Sequence, residues 1–333
     1  MIVVDADFLG RGRTGDETYV ENLLRAMAPL AGDLRIAALT RDAALVPEGI
    51  EPIVLPARSQ ELRMAWSVPR ALGRLRPRLA HFVHALPPRL PCPAVLTVQD
   101  LSFERAGSLM GWKDRVVFRR VVPRSVRRAA RVLAISERTK RDLVELYGVS
   151  EDKVVVTPLG VDPAFTPGHD GRGTYLLFVG AIQERKDPLA AAAAASAVGL
   201  PLVAVGPEKD TRLASELRLA GADVRGYVSK HELAELYRGA AALVLPSQYE
   251  GFGLPVVEAM ASGTPVVAAP DAALREVAGD AAVFAEAPQL AGAVRQALDE
   301  RERLVAAGLE RARRFTWEET ARRTLDVYRE LLA

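Results

Sequence analysis

Short, unbroken apolar runs separated by helical patterns recur along almost the whole chain, and this rhythm narrows the possible folds more than any other feature. Residues 2–4, 34–39, 53–55, 94–98, 132–135 and 154–156 each form such a run. A strand covered on both faces reads as continuous rather than alternating hydrophobicity, and intervening helices supply the cover, so a parallel sheet in an α/β unit is expected. Residues 157–173 (TPLGVDPAFTPGHDGRG) then shift to proline and glycine without an apolar period, as a linker does. The rhythm resumes with strand candidates at 175–179, 202–205, 222–225, 242–245 and 265–268. Asp187-Pro188 reads as a helix cap and first residue, and Ser229-x-x-Glu232 and Thr316-x-x-Glu319 read as capping boxes. A chain of 333 residues exceeds one ordinary core, so two doubly wound domains are expected, with ligands held in a cleft between their strand C-termini.

A formal charge of +2 gives the chain no general attraction for nucleic acid. The single cysteine, Cys92, has no partner for a disulfide or a Cys-Cys metal site, which fits a reducing cytoplasm. Asp5 and Asp7 stand near the N-terminus, with no basic start followed by an apolar stretch, so no signal peptide is expected. The longest uncharged run, 188–207, holds Gly199 and Pro201 and reads as helix, turn and buried strand rather than a membrane span. In segment 111–131, eight basic residues oppose Asp114 alone and are interleaved with Trp112, Val116, Val117, Phe118, Val121 and Val122. Such charge usually lies on a solvated helix face, but this mixture also suits peripheral contact with the inner membrane face.

Gly10, Gly12 and Gly15 in GRGRTGDETY fit the G-x-G-x-x-G of dinucleotide enzymes, and an amphipathic helix follows from about residue 18 to 30. Asp5 to Leu9 intervene after the first strand, which makes the turn too long for that use. QYEGFGLPVVEAMASGTPVVAAP, at 248–270, is more informative. Pro246-Ser247 turn the chain after a strand, and Gly251 and Gly253 open a helix whose first N–H groups lie beside Glu250. Such an opening binds hydroxyls or anions. Glu258 lies about two turns into that helix, where one ligand could touch both carboxylates. Upstream, Gly180 and AIQERKD follow a strand and precede a helix, and the adjacent Arg185 and Lys186 suit either a diphosphate or solvent. Asp5-x-Asp7 reads as structural, and His81 with His84 lacks a third ligand in sequence, so no metal site is expected.

These stretches resemble the glycosyl transferase group 1 family, retaining nucleotide-sugar enzymes of GT-B fold. VQDLSFE (98–104), VLAISERTKRDLVELYGVSEDKVVVTPLGVDPAF (132–165), FVGAIQERKDP (178–188), LVLPSQYEGFGLPVVEAMASGTPVVA (243–268) and FTWEETARRTLDVYREL (315–331) carry the resemblance. Its hallmark is the Glu, seven residues, Glu pattern of Glu250 and Glu258. The resemblance implies an α/β GT-B fold of two doubly wound Rossmann-like domains facing across a cleft. Residues 1–165 would bind the acceptor and 170–315 the donor, with a C-terminal helix, 316–333, returning to the first domain. It also implies transfer of a sugar, with retention and without a metal, from a nucleotide diphosphate sugar to a sugar, lipid-linked or small-molecule acceptor.

Within that resemblance, Arg185 and Lys186 would neutralise the leaving diphosphate. Glu250 and the N–H groups of Gly251, Phe252, Gly253 and Leu254 would hold sugar hydroxyls, and Glu258 the ribose. Gly180 falls on the donor side and Gly15 is a backbone approach point. Gln99-Asp100 occupies the catalytic position where the family commonly has histidine and aspartate, and Gln99 can hydrogen-bond there but cannot carry a charge. Tyr19 and His84 fall on the acceptor side, while Asp16, Glu17 and Thr18 replace family residues and receive no role. The alternatives are a nucleotide-sugar epimerase of the same fold, an NAD(P) oxidoreductase using the opening loop, and a catalytically silent binding partner.

Overall fold

The computed structural model describes every residue except 13, 57–58, 106–111 and 169–172. The chain divides into two compact units, one holding Met1–Leu101, Trp112–Gly160 and Thr316–Ala333, the other Val161–Phe315 together with the short helix Ser102–Arg105.

Seven parallel strands build the first unit: β1 (Ile2–Asp5), β2 (Ile36–Thr40), β3 (Glu51–Val54), β4 (Leu79–Val83), β5 (Ala94–Val98), β6 (Arg131–Ala134) and β7 (Val154–Val156). Their order is β3-β2-β1-β4-β5-β6-β7, with Ile2 of β1 opposite Ile36 on one side and Leu79 on the other. Every residue of β1, β2, β4 and β5 is buried, as continuous apolar runs require. β4 is absent from the sequence expectations because His81 interrupts its apolar run, LAHFV. Burial pushes the His81 imidazole down to about 3, so it is neutral, and its ring nitrogens meet the Tyr328 hydroxyl at 2.5 Å and Thr97 Oγ1 at 2.7 Å. Tyr328 belongs to the last helix, Trp317–Leu332, which packs on α1 (Thr14–Leu30). α1 begins ahead of the expected residue 18, and Asp16 and Glu17 lie in its first turn, where carboxylates suit the helix dipole.

The second unit is a six-stranded parallel sheet of β8 (Tyr175–Val179), β9 (Leu202–Val205), β10 (Asp223–Gly226), β11 (Ala240–Leu245), β12 (Val266–Ala268) and β13 (Val283–Phe284). Its order is β10-β9-β8-β11-β12-β13. β13, only two residues long, leaves no readable run in the sequence. The uncharged stretch 188–207 forms the helix Pro188–Val198, a turn at Gly199 with φ 73°, and β9. Ala191, Ala194 and Ala195 of that helix pack into a core with Leu176, Phe178 and Ala204. Ser229 and Thr316 accept the N–H groups of Glu232 and Glu319, each at 3.2 Å, so both capping boxes have formed their first bond. No described helix is long and apolar enough to cross a membrane.

In both sheets the strand order reverses once, between β1 and β4 in the first and between β8 and β11 in the second. Connections leaving such strands diverge to opposite faces and open a crevice at their C-terminal ends, where doubly wound folds bind ligands.

Candidate functional site

Two connections meet at the β8/β11 reversal. After β8, residues 180–187 end in the short turn Glu184–Lys186 and in Asp187, whose left-handed backbone (φ 47°) and carboxylate cap the helix beginning at Pro188. After β11, residues 246–253 lead into the helix Leu254–Ala261. Lys186 Nζ donates to Glu250 Oε1 at 2.5 Å, with side-chain exposures of 13% and 9%. Arg185 Nη1 donates to the Tyr249 carbonyl, and Gln248 N–H to the Arg185 carbonyl at 3.0 Å. Two cations and one carboxylate are thus fixed, largely out of water, at the crevice edge. Charges so placed act more strongly than in bulk solvent because fewer water dipoles screen them.

The helix Leu254–Ala261 opens without a side-chain cap, so among its first-turn groups only the Val256 and Val257 N–H, which turn back to the Gly253 carbonyl at 2.9 and 3.4 Å, meet an acceptor among the described residues. Gly253 makes this opening possible. Its φ is 109°, and a Cβ there would stand 2.7 Å from Leu274 Cδ2. Phe252 is buried edge-on against Phe315, with ring centroids 5.6 Å apart, so its side chain anchors the loop and only its backbone is offered to a ligand.

Glu258 lies within the helix Leu254–Ala261. Its Oε2 accepts from the Tyr237 hydroxyl at 2.9 Å, and Lys230 Nζ pairs with nearby Asp162 at 2.5 Å. Burial raises the Glu258 carboxyl to about 7; the Tyr237 hydrogen bond and Lys230 act in the opposite direction, and Asp162 adds to the rise. Tyr237, Lys230 and Asp162 carried no sequence signal, since only the tertiary fold brings them to Glu258.

Gly15, Gln99, Asp100, His84 and Tyr19 all belong to the first unit. Gln99 directly follows β5, is 9% exposed, and its Nε2 has no hydrogen-bond partner among the described residues. A Cβ on Gly15 would lie 3.8 Å from Gln99 Oε1, so these two residues adjoin. His84, with φ 65°, follows β4 and meets Asp16 Oδ1 through Nε2 at 2.8 Å. Asp16, left without a role by the sequence, therefore spans the β1/β4 reversal with His84. Glu17 closes the opening loop by accepting the Gly10 N–H at 2.6 Å. Tyr19 requires a correction: it has no exposed surface for an acceptor, and its hydroxyl is used by Thr97 Oγ1 at 2.8 Å inside the core.

Asp5 and Asp7 are taken up by arginines. Arg63, completely buried, forms a two-pronged pair with Asp5 and places Nε 3.1 Å from Asp7, while Arg41 and Arg11 each reach Asp7 at 2.7 Å. The basic segment 111–131 contains the helix Trp112–Arg128, on which Arg119, Arg120, Arg124, Arg127 and Arg128 are exposed; residue 111 lies outside the described residues.

Two Rossmann-like units of parallel sheet, the second with paired cation and carboxylate at its reversal point, define the GT-B class of fold. Residues 164–315 match the family Glycosyl transferases group 1 and residues 13–165 match Glycosyltransferase Family 4. It is 36% identical over 230 residues to a D-inositol 3-phosphate glycosyltransferase of Acidothermus cellulolyticus, a match covering 58% of this chain and 51%, about half, of that relative. A sucrose-phosphate synthase from Thermosynechococcus elongatus shares the fold with a TM-score of 0.81 at 19% identity, covering 99% of this chain and 98% of its own. The Anabaena protein HepE, solved in complex with UDP-glucose, does so with a TM-score of 0.74 at 15% identity, covering 99% of both chains.

Proposed function

We propose that the chain is a retaining glycosyltransferase that moves a sugar from a nucleoside diphosphate sugar to a hydroxyl acceptor. The observation that carries this reading is the Lys186–Glu250 pair, set with Arg185 beside an uncapped helix start at the β8/β11 reversal. Cleavage of the bond between the anomeric carbon and the diphosphate oxygen leaves negative charge on the departing group, and cations fixed beforehand in a water-poor crevice stabilise it. Arg185 and Lys186 supply that charge, so no metal is required. Glu250 and the N–H groups of Gly251 to Leu254 hold the sugar hydroxyls. The acceptor oxygen bonds to the anomeric carbon on the face the diphosphate leaves, and its proton passes to a departing phosphate oxygen. The products are the glycoside and the nucleoside diphosphate. The UDP-glucose complex of HepE and the glycosyltransferase name of the Acidothermus relative support the donor class. The acceptor is assigned to the first unit, with His84 and Asp16 among its contacts, and Gln99 donates to a sugar hydroxyl.

Turnover of a panel of uridine, guanosine and adenosine diphosphate sugars with sugar and polyol acceptors tests the reading. The expected product is a nucleoside diphosphate with a glycoside of unchanged anomeric configuration. Gln99→Ala then lowers kcat/KM by roughly tenfold to a hundredfold, through loss of one donor to a buried hydroxyl. Gln99→His keeps measurable activity and adds an ionisation near the ordinary histidine pKa of about 6.5. Unchanged activity in Gln99→Ala would remove that residue from the sugar site.

Glu258 is assigned to the ribose, whose hydroxyls donate to a carboxylate and favour its charged form. The folded protein keeps the Glu258 proton up to about 7, whereas the unfolded chain releases it near 4.5. Between those values rising pH removes the proton from the unfolded state first, so stability falls as pH rises and levels off above 7. Glu258→Gln, which keeps the Tyr237 bond, is therefore expected to be more stable than wild type at pH 8 by on the order of 2 kcal/mol. The two should converge toward pH 4.5. Thermal melts over that range check it, and a constant difference at every pH would contradict the raised carboxyl.

A further inference from the structure

Residues 60–75 form one continuous helical run, Gln60–Leu62, a wide π turn at Arg63–Ser67, and Val68–Leu75, with two opposed faces. Arg63, Val68 and Leu72 are buried, whereas Leu62 and Trp66 are 58% and 65% exposed. Arg70 and Arg74 continue the exposed face, and Arg76 and Arg78 follow at the helix end. Arg70, Arg74 and Arg76 pair with no carboxylate among the described residues. From residue 62 to 99 the sequence holds six arginines and neither aspartate nor glutamate.

We infer that this helix docks the protein on an anionic lipid surface, with Trp66 and Leu62 entering the headgroup region and Arg70 and Arg74 meeting the lipid phosphates. An amphipathic ring and an aliphatic chain beside arginines are what an interfacial helix presents, and each basic side chain near an anionic bilayer adds its own increment of attraction. A folded protein partner fits less well. A stable protein interface buries roughly 800 Å² on each side with matched shape, and two protruding apolar side chains flanked by like charges do not form such a patch. Lipid requires no shape match. The inference does not depend on the glycosyl-transfer reading, and it places the contact on a different helix from the basic segment 111–131.

Co-sedimentation of the full chain with vesicles of phosphatidylcholine and phosphatidylglycerol, against vesicles of phosphatidylcholine alone, tests it. Wild type should bind the anionic vesicles, less so as salt rises, with a blue shift of tryptophan emission that disappears in Trp66→Phe. Trp66→Ser, and separately Arg70→Glu with Arg74→Glu, should each lower the partition coefficient at least about tenfold. These side chains are exposed, so far-ultraviolet circular dichroism should match wild type. Absence of wild-type binding would overturn the inference, as would wild-type binding in these variants. Loss of binding confined to Arg119→Glu with Arg120→Glu would move the contact to the other basic helix. A concentration-dependent dimer abolished by Trp66→Ser, without vesicle binding, would assign the face to a second copy.

Discussion

Arg63→Met is expected to destabilise the first unit by about 3–5 kcal/mol, the range for removing one partner of a buried ion pair. Arg63 is fully buried, and its guanidinium satisfies Asp5 while approaching Asp7. Burial works against that charge, but the two carboxylates more than offset it and raise the arginine pKa. Without Arg63, Asp7 retains Arg41 and Arg11, while Asp5 is left as a buried carboxylate at the end of the central strand. Asp5→Leu combined with Arg63→Met should recover most of the loss, because an apolar pair of similar volume avoids desolvating either charge. Denaturant unfolding of the single and double variants checks both statements. A change below about 1 kcal/mol in the single variant would mean that water reaches Asp5.

Lys186→Ala is expected to lower turnover by about 2–4 kcal/mol of transition-state stabilisation, roughly thirtyfold to a thousandfold. Two effects add. The ammonium facing the departing diphosphate is lost, and Glu250, which Lys186 holds at 2.5 Å, becomes an unpaired carboxylate in the same crevice. Lys186→Ala with Glu250→Gln separates them: the double variant should regain stability without regaining turnover. Steady-state kinetics with saturating donor, beside thermal melts, give both readouts. Wild-type turnover in the single variant would take Lys186 out of the reaction.

Much of this architecture is legible in the sequence, for physical reasons visible at particular residues. Strands buried on both faces give unbroken apolar runs, and β5, β7, β8 and β9 fall where those runs are. β4 escapes because a histidine sits in its middle, and His81 is tolerated only through Thr97 and Tyr328, partners that lie far away in sequence. The connections carrying Arg185, Lys186 and Glu250 are legible because glycine, proline and charge concentrate where strands hand over to helices. The environment of Glu258 is not. Tyr237 reaches it from the preceding helix, Lys230–Gly239, and no local pattern announces that meeting. Tyr19 misleads for the same reason: its place in a loop motif says nothing of Thr97, which claims its hydroxyl inside the core. Asp16 reads as a stray charge until β4 delivers His84 beside it.

Calorimetric titration of uridine, guanosine and adenosine diphosphates into wild type, Lys186→Ala and Glu258→Ala tests the donor-site assignment most directly. At least one nucleotide should bind wild type, and each substitution should weaken it about tenfold or more, through loss of a charge-assisted contact to the diphosphate in one and to the ribose in the other. Binding of none of the three, or binding that neither substitution changes, would contradict a nucleotide-sugar site at the β8/β11 reversal.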